Sequence, residues 1–380
     1  MKRFFSYTIL SFFLLLLPTG QASANNNDSI RLSLLTCAPG EEIYSLFGHT
    51  AIRYENSSQG IDVVFNYGLF SFNTPNFIFR FSLGETDYQL GATDYERFAA
   101  EYAFFGRSVW QQTLNLTDEE KTELIRLLQE NYRPENRVYR YNFFYDNCAT
   151  RPRDKIEESI AGKVIYPAEP QDGSLTFRDI VHQYCKGHPW ARFGIDLCIG
   201  SEADQPITQR QMMFAPFYLM DAFDGAQIKG DSIQRPLITA NELVVDATPE
   251  PDESDWMPTP LQCSLLLFIL TAAATIYGIR RRTGLWGIDL FLFGIAGIVG
   301  CVLAFLALFS QHPAVSSNFL LLVFHPGQLL FLPYIIYCVR KGKKCWYLTL
   351  NLAVLTLFIV LFPVIPVSYT HLTLPTTPYV

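Results

Sequence analysis

Four long apolar stretches occupy the last third of the chain, at roughly 261–279, 285–309, 318–339 and 345–366, each long enough to cross a bilayer as a helix. They predict a four-helix membrane domain over 261–366. Ahead of them, residues 25–246 mix charges, glycines and aromatics as a globular domain does, and the acidic, proline-bearing stretch 247–260 reads as a linker. At the other end Lys2 and Arg3 lead into an apolar run at 4–17. Ala22, Ser23 and Ala24 follow, so residues 1–24 read as a secretory signal peptide.

Inside the globular part, residues 29–36, 50–54 and 61–67 read as strands, the last two joined by a polar, glycine-bearing bridge that marks a hairpin. A turn centred between Ser57 and Ser58 sets Arg53 opposite Asp62, Ala51 opposite Val64 and His49 opposite Asn66. Alternate residues of a strand point to opposite faces. This register therefore gathers His49, Asn66 and an Arg53–Asp62 pair on one face and sends Ile52, Val63 and Phe65 to the other. Residues 93–101 and 117–132 read as helices, the second opening on a capping-box spacing from Thr117 to Glu120. Residues 175–184 are helix-like, and no internal repeat is visible.

Composition and charge narrow the function. The 49% hydrophobic and 15% aromatic chain is unevenly apolar, the last third far more so than the rest, which is a membrane signal. A net charge of -7 leaves no basic footprint, so nucleic acid is not an expected partner. Arg280, Arg281 and Arg282 lie between the first two spans, and Arg340, Lys341, Lys343 and Lys344 between the last two, whereas 310–317 has neither Lys nor Arg. The positive-inside rule makes the two basic loops cytoplasmic and sets the globular domain on the outer face, in agreement with the signal peptide. Residues 367–380 continue none of these patterns. They resemble a translated adapter sequence and read as a non-native tail, so His371 is given no role.

The candidate chemistry is that of a cysteine nucleophile. Cys148 follows an aromatic run and stands at the mouth of a predicted helix, begun either by Asp146 or Asn147 as cap or by Thr150 with Pro152 in the first turn. Free amides and the positive end of a helix dipole favour a thiolate and an oxyanion, and Arg151 and Arg153 add positive charge. Of the histidines at 49, 182 and 188, His49 is the candidate base, since a strand and a glycine neighbour fix its ring and Asn66 can orient its second nitrogen. His182 and His188 read as surface or packing residues. The competing reading of Cys148 is a small buried hydrophobe or half of a disulfide. Among Cys37, Cys148, Cys185 and Cys198 the most local pairing is Cys185 with Cys198. No CxxC or HExxH cluster appears, so neither a zinc site nor another cofactor is expected. Two histidines of the membrane region, His312 before Pro313 and His325 before Pro326, are candidates for shaping a lipid path.

The segments 34–53 (with Phe47-Gly-His-Thr), 65–68 (Phe-Asn-Tyr-Gly), 141–150 (with Asp146-Asn-Cys-Ala-Thr) and 193–198 resemble the Lnb periplasmic-domain family of Bacteroides-type bacteria, across nearly all of 30–245. The resemblance implies a lipoprotein N-acyltransferase of the bacterial inner membrane, with the catalytic domain on its periplasmic side. Its acyl donor would be a phospholipid and its acceptor the α-amine of a diacylglyceryl-cysteine lipoprotein. It also implies His49 as base and Cys148 as nucleophile. The order, histidine first and a helix-opening cysteine later, is similar to permuted papain-like enzymes such as the NlpC and lecithin-retinol acyltransferase groups. The expected fold is therefore α+β, a permuted papain-like domain followed by a helical membrane domain. Two other readings stand beside it: a papain-like cysteine peptidase or amidase acting on cell-wall peptides, and a non-catalytic membrane-anchored binding module.

Overall fold

A computed structural model describes residues 29–73, 75–167, 175–230, 234–247 and 256–361. The expected signal peptide at 1–24, the expected tail at 367–380 and most of the expected linker lie outside the described residues. The polar half is a mixed α/β unit built on one antiparallel sheet, and a region of apolar helices follows it.

In chain order the first part comprises β1 (Ile30–Cys37), β2 (His49–Asn56), β3 (Ile61–Leu69), helix α1 (Phe77–Ser82), β4 (Asp87–Asp94), α2 (Tyr95–Phe104), β5 (Val109–Leu114), α3 (Asp118–Tyr132) and β6 (Val138–Arg140). Then come α4 (Thr150–Ser159), β7 (Lys163–Ile165), α5 (Phe177–Tyr184), α6 (Pro189–Cys198), the single turn α7 (Gln209–Met212), α8 (Pro216–Asp224), β8 (Gln227–Lys229), β9 (Gln234–Pro236) and β10 (Ile238–Val245). The main sheet runs β10-β5-β1-β2-β3-β4-β6, and β7-β8-β9 form a small second sheet.

Period-two burial builds a core on each side of the main sheet. Leu32, Leu34, Ile52, Phe65 and Tyr67 face Leu124 and Leu128 of α3, Ile156 of α4 and Phe223 of α8. Leu35, Cys37, Ala51, Val64 and Val109 face Phe98 and Tyr102 of α2. A third cluster, including Leu46, Phe47, Phe144, Phe177 and Phe214, fills the space beside the sheet. The capping box read at the start of α3 is present, with the Thr117 amide donating to Glu120 Oε2 at 2.8 Å.

Three expectations change. The β2–β3 hairpin pairs Ala51 with Asn66 and Glu55 with Asp62, two residues away from the predicted register, because the loop between Asn56 and Ile61 has four residues. A shift of two preserves the faces. Arg53 still reaches Asp62 diagonally, at 2.8 and 2.6 Å. Residues 93 and 94 end a strand rather than begin a helix, since Thr93 and Asp94 pair with Val64 and Val63 and the helix starts at Tyr95.

The third change is in the membrane part. Helices α9 (Pro260–Arg281) and α10 (Trp286–Phe309) are long and apolar enough to cross a bilayer. The predicted third span is not one helix. It is a 3-10 turn at Phe319–Leu322, α11 (Gly327–Leu330) and α12 (Leu332–Lys341), with a bend of 73°. Pro326 and Pro333 lack the amides that a continuous helix needs. The last helix, α13, is described over Trp346–Leu361, and residues 362–366 of the predicted span lie outside the described residues.

The broken segment lies directly on α10. A Cβ on Gly300 would stand 2.5 Å from the His325 backbone nitrogen, and one on Gly297 2.7 Å from that of Leu329. Glycine is required at both. The following loop, 310–318, meets the sheet domain. Gln311 N–H donates to Leu83 O at 2.9 Å, Gly200 N–H to Ala314 O at 2.6 Å and Asn318 Nδ2 to Leu197 O at 2.7 Å. At the opposite end of these helices Arg340 lies over the Trp286 ring. The loop without Lys or Arg is thus on the side of the folded domain.

Candidate active site

Cys148 sits in a rigid turn between β6 and α4. The buried Asn147 side chain organises that turn with four hydrogen bonds. Its Oδ1 accepts from the amides of Ala149 and Thr150 at 2.8 and 2.9 Å, and its Nδ2 donates to Phe143 O and Phe214 O at 2.8 and 2.9 Å. Asn147 is therefore the effective cap, and the first two amides are already satisfied. They are not free for a thiolate. The charges expected at Arg151 and Arg153 are also engaged elsewhere. Arg151 forms a bidentate pair with Asp146 at 2.6 and 2.7 Å, and Arg153 bonds Asp154 and Arg210 O.

The sulfur instead faces the backbone N–H groups of Thr50 and of Cys148 itself, and the Tyr141 hydroxyl. These contacts favour the thiolate, but burial outweighs them and pushes the thiol up to about 11. In the resting site Cys148 is a neutral thiol.

His49 is the first residue of β2. The preceding Gly48 has φ +76°, and a Cβ there would stand 2.5 Å from Cys37 O, so the turn that delivers the histidine admits only glycine. One ring nitrogen, Nε2, lies 2.5 Å from Asn66 Oδ1. With the amide oxygen accepting, Nε2 carries the proton and Nδ1 keeps its lone pair. Burial drives the imidazole down to about 4 against the opposing Asn66 hydrogen bond, and the Arg107 charge lowers it further. His49 is thus a neutral base.

The two groups meet over Gly68. A Cβ at this position (φ +91°) would lie 3.5 Å from Cys148 Cβ, 4.0 Å from His49 Cε1 and 4.0 Å from Tyr141 Cε2. The missing side chain lets thiol, imidazole and phenol converge at the end of the sheet. Both His49 and Cys148 remain partly exposed. A neutral thiol beside an oriented neutral base, with two amides at the sulfur, has the parts needed for nucleophilic attack on a carbonyl.

Two sequence-family models match the chain. One, described as the Lnb N-terminal periplasmic domain, covers residues 20–182, and the other, described as the Lnb transmembrane domain, covers 252–378. The chain belongs to the Lnb family. No curated protein and no solved structure matched it. His49, Asn66, Gly68 and Cys148 all fall within the first Lnb match, and His312 and His325 within the second. Residues 193–198, which entered the resemblance at the sequence level, fall outside both.

Cys185 and Cys198 of this Lnb-family chain are free thiols, so the disulfide expected between them is not formed. Cys185 caps the end of α5, while Cys198 is the last residue of the ten-residue α6. Such a helix is about 15 Å long, whereas a bridge needs Cα atoms within about 7 Å. His182 belongs to a buried ion network, with Nε2 2.9 Å from Asp196, which also pairs with the buried Arg178. His188 lies 3.6 Å from Glu41.

Neither membrane-region histidine joins the Cys148 cluster. His312 Nε2 is 2.6 Å from Phe81 O and fastens α1 to the end of α10. His325 lies in the break of the third span, beside a polar set in which Gln328 donates to Asn351 at 2.7 Å. Tyr141, Gly68 and Arg107 surround the thiol and imidazole without having been assigned roles from sequence. The signal available for Tyr141 and Gly68 was their place in the same motif segments as Cys148 and Asn66. Among the described residues no group of three or more His, Cys, Asp and Glu side chains is arranged to hold a metal.

Proposed function

We propose that this chain is a lipoprotein N-acyltransferase, moving a fatty acyl chain from a phospholipid through a Cys148 thioester to the α-amine of a diacylglyceryl-cysteine lipoprotein. On this reading the periplasmic domain works as permuted papain-like acyltransferases do, at the surface of the inner membrane. The observation that carries it is the meeting of a neutral thiol with an Asn66-oriented imidazole over Gly68, in a domain hydrogen-bonded to the loop of apolar helices.

As Cys148 Sγ attacks the donor ester, its proton passes to His49 Nδ1, a C–S bond forms and the carbonyl electrons move onto oxygen. On this reading the Thr50 and Cys148 amides, which face the sulfur, serve as donors to that oxyanion. Collapse breaks the ester C–O bond, and His49 returns the proton to the departing lysophospholipid. The acceptor amine then attacks the thioester, His49 takes a proton from the new C–N centre, and the C–S bond breaks as Cys148 regains its proton. Because both groups rest neutral, proton transfer accompanies attack rather than preceding it.

The same residues would serve a cysteine peptidase or amidase acting on cell-wall peptides. The exposed phenylalanines at 72, 79 and 81, beside the apolar helices, favour a lipid. The test uses the full chain in phosphatidylethanolamine vesicles with labelled acyl chains and a synthetic diacylglyceryl-cysteine peptide. Label should move to the free-amine peptide, not to its N-acetylated form, and not at all with Cys148→Ala. Peptide cleavage, or label released only as free fatty acid, would contradict the proposal.

A further inference from the structure

Helix α1 is built almost wholly of large apolar residues, yet none of them is buried. Ile78 is 80% exposed, Phe72 just before the helix 63% and Phe79 59%. A helix this short, with no covered face, is held in place by its C-terminal end. His312 Nε2–H donates to Phe81 O, Gln311 N–H donates to Leu83 O, and Gly84, with φ +71°, lets the backbone of His312 come within what would be 2.9 Å of a Cβ.

These ties create an open apolar groove lined by Phe72, Phe77, Ile78 and Phe79 on one side and by Phe305 on the other. Phe305 lies in the last turn but one of the membrane-crossing helix α10, at the end that meets the folded domain. One end of the groove is therefore at the outer boundary of the hydrocarbon.

At the membrane end of the groove Phe79 touches Phe305, and from Phe77 and Phe72 at its other end a separate run of ring contacts leads toward Cys148. Phe79 is 6.0 Å from Phe305, Phe72 is 5.1 Å from Phe77, Phe70 is 4.9 Å from Phe72, Tyr88 is 5.1 Å from Phe70, and Tyr141 is 4.3 Å from Tyr88. Tyr141 in turn hydrogen-bonds the Cys148 thiol. We infer that this groove binds one acyl chain of a membrane glycerolipid, lying along Phe305, Phe79 and Phe72 so that its ester carbonyl reaches Cys148. The inference rests on the acyl-transfer reading and names the path of its donor. To bring an ester to Cys148, the first methylenes must leave the bilayer, and an aromatic wall continuous with the membrane keeps them out of water. A soluble peptide substrate has no use for a groove that opens on the hydrocarbon.

The test is photo-crosslinking of the full chain in vesicles containing a phosphatidylethanolamine with a diazirine in its acyl chain. Cys148→Ala is used for mapping, so that binding is read without chemistry, and wild type is assayed in parallel for acylation of Cys148. Crosslinks are expected on the peptides carrying residues 70–82 and Phe305, and Phe72→Asp with Phe79→Asp should reduce them about tenfold, the effect of about 1.4 kcal/mol of lost binding. The same variant should lose acylation by the phospholipid but keep acylation by a water-soluble short-chain ester, which also shows that it folds. Labels confined to the outer faces of α9, α10 and α13, with wild-type Cys148 still acylated, would overturn the groove and leave the reaction standing. Groove labelling without any acylation would leave a lipid site and overturn the acyl-transfer reading on which this inference rests.

Discussion

At the scale of residues, burial rather than pairing sets the protonation of the site. His49 is driven down to about 4 and the Cys148 thiol up to about 11, so both are neutral across the whole range around pH 7. Activity should therefore be flat from about pH 6 to 8, with its acid limb near pH 4 rather than 6.5, as measured by a pH profile of Cys148 acylation. An acid limb at the ordinary imidazole value would show that the ring is solvated. The linkage has the same direction. Between about 4 and 6.5 the unfolded histidine holds a proton that the folded one does not, so stability falls as pH drops through this window. Asn66→Ala removes the carbonyl that fixes the ring and should slow acylation by up to the general-base contribution, roughly 10²–10⁴-fold, with donor KM little changed. The His49–Asn66 pairing was legible in the sequence because strand parity survives a two-residue error in register. The convergence of Tyr141 and Cys148 over Gly68 was not, since it depends on a turn between β6 and α4 that no periodicity describes.

At the scale of elements, the turn before α4 fixes Cys148 through Asn147 rather than through free helix amides. Asn147→Ala would strand two amides and two carbonyls in a buried site. Loss of a cap costs about 1 kcal/mol and stranded polar groups about 1–3 more. Thermal unfolding of the detergent-solubilised chain should show a loss of about 2–4 kcal/mol, whereas a shift no larger than that of an exposed substitution would contradict the assigned role. Capping chemistry was readable where it follows a sequence rule, as at Thr117 and Glu120, and ambiguous at Cys148, where three side chains could each begin the helix. Strand β4 escaped notice because its residues, including Gly91 and Thr93, carry little apolar alternation and are placed by pairing with β3. Hydropathy found the third membrane stretch but not its break, because apolar content is blind to the backbone. Pro326, Pro333 and the close approach at Gly297 and Gly300 decide that shape.

At the scale of the whole molecule, the loop 310–318 joins two halves with opposite solvents. It bonds the backbone near Leu83 on one side and near Gly200 on the other, so the sheet domain is seated on the helices instead of hanging from the linker. On the proposed reading seating matters because the donor would be confined to the membrane and the reacting carbonyl raised to a fixed sulfur. The central claim is that this sulfur carries the acyl group. Intact mass spectrometry of the purified chain after incubation with phospholipid tests it most directly, alongside Cys148→Ala. The account predicts a hydroxylamine-labile fatty-acyl adduct on the wild type and none on the variant. An unmodified wild-type mass under conditions that support transfer to the acceptor amine, or an adduct that persists in Cys148→Ala, would contradict it.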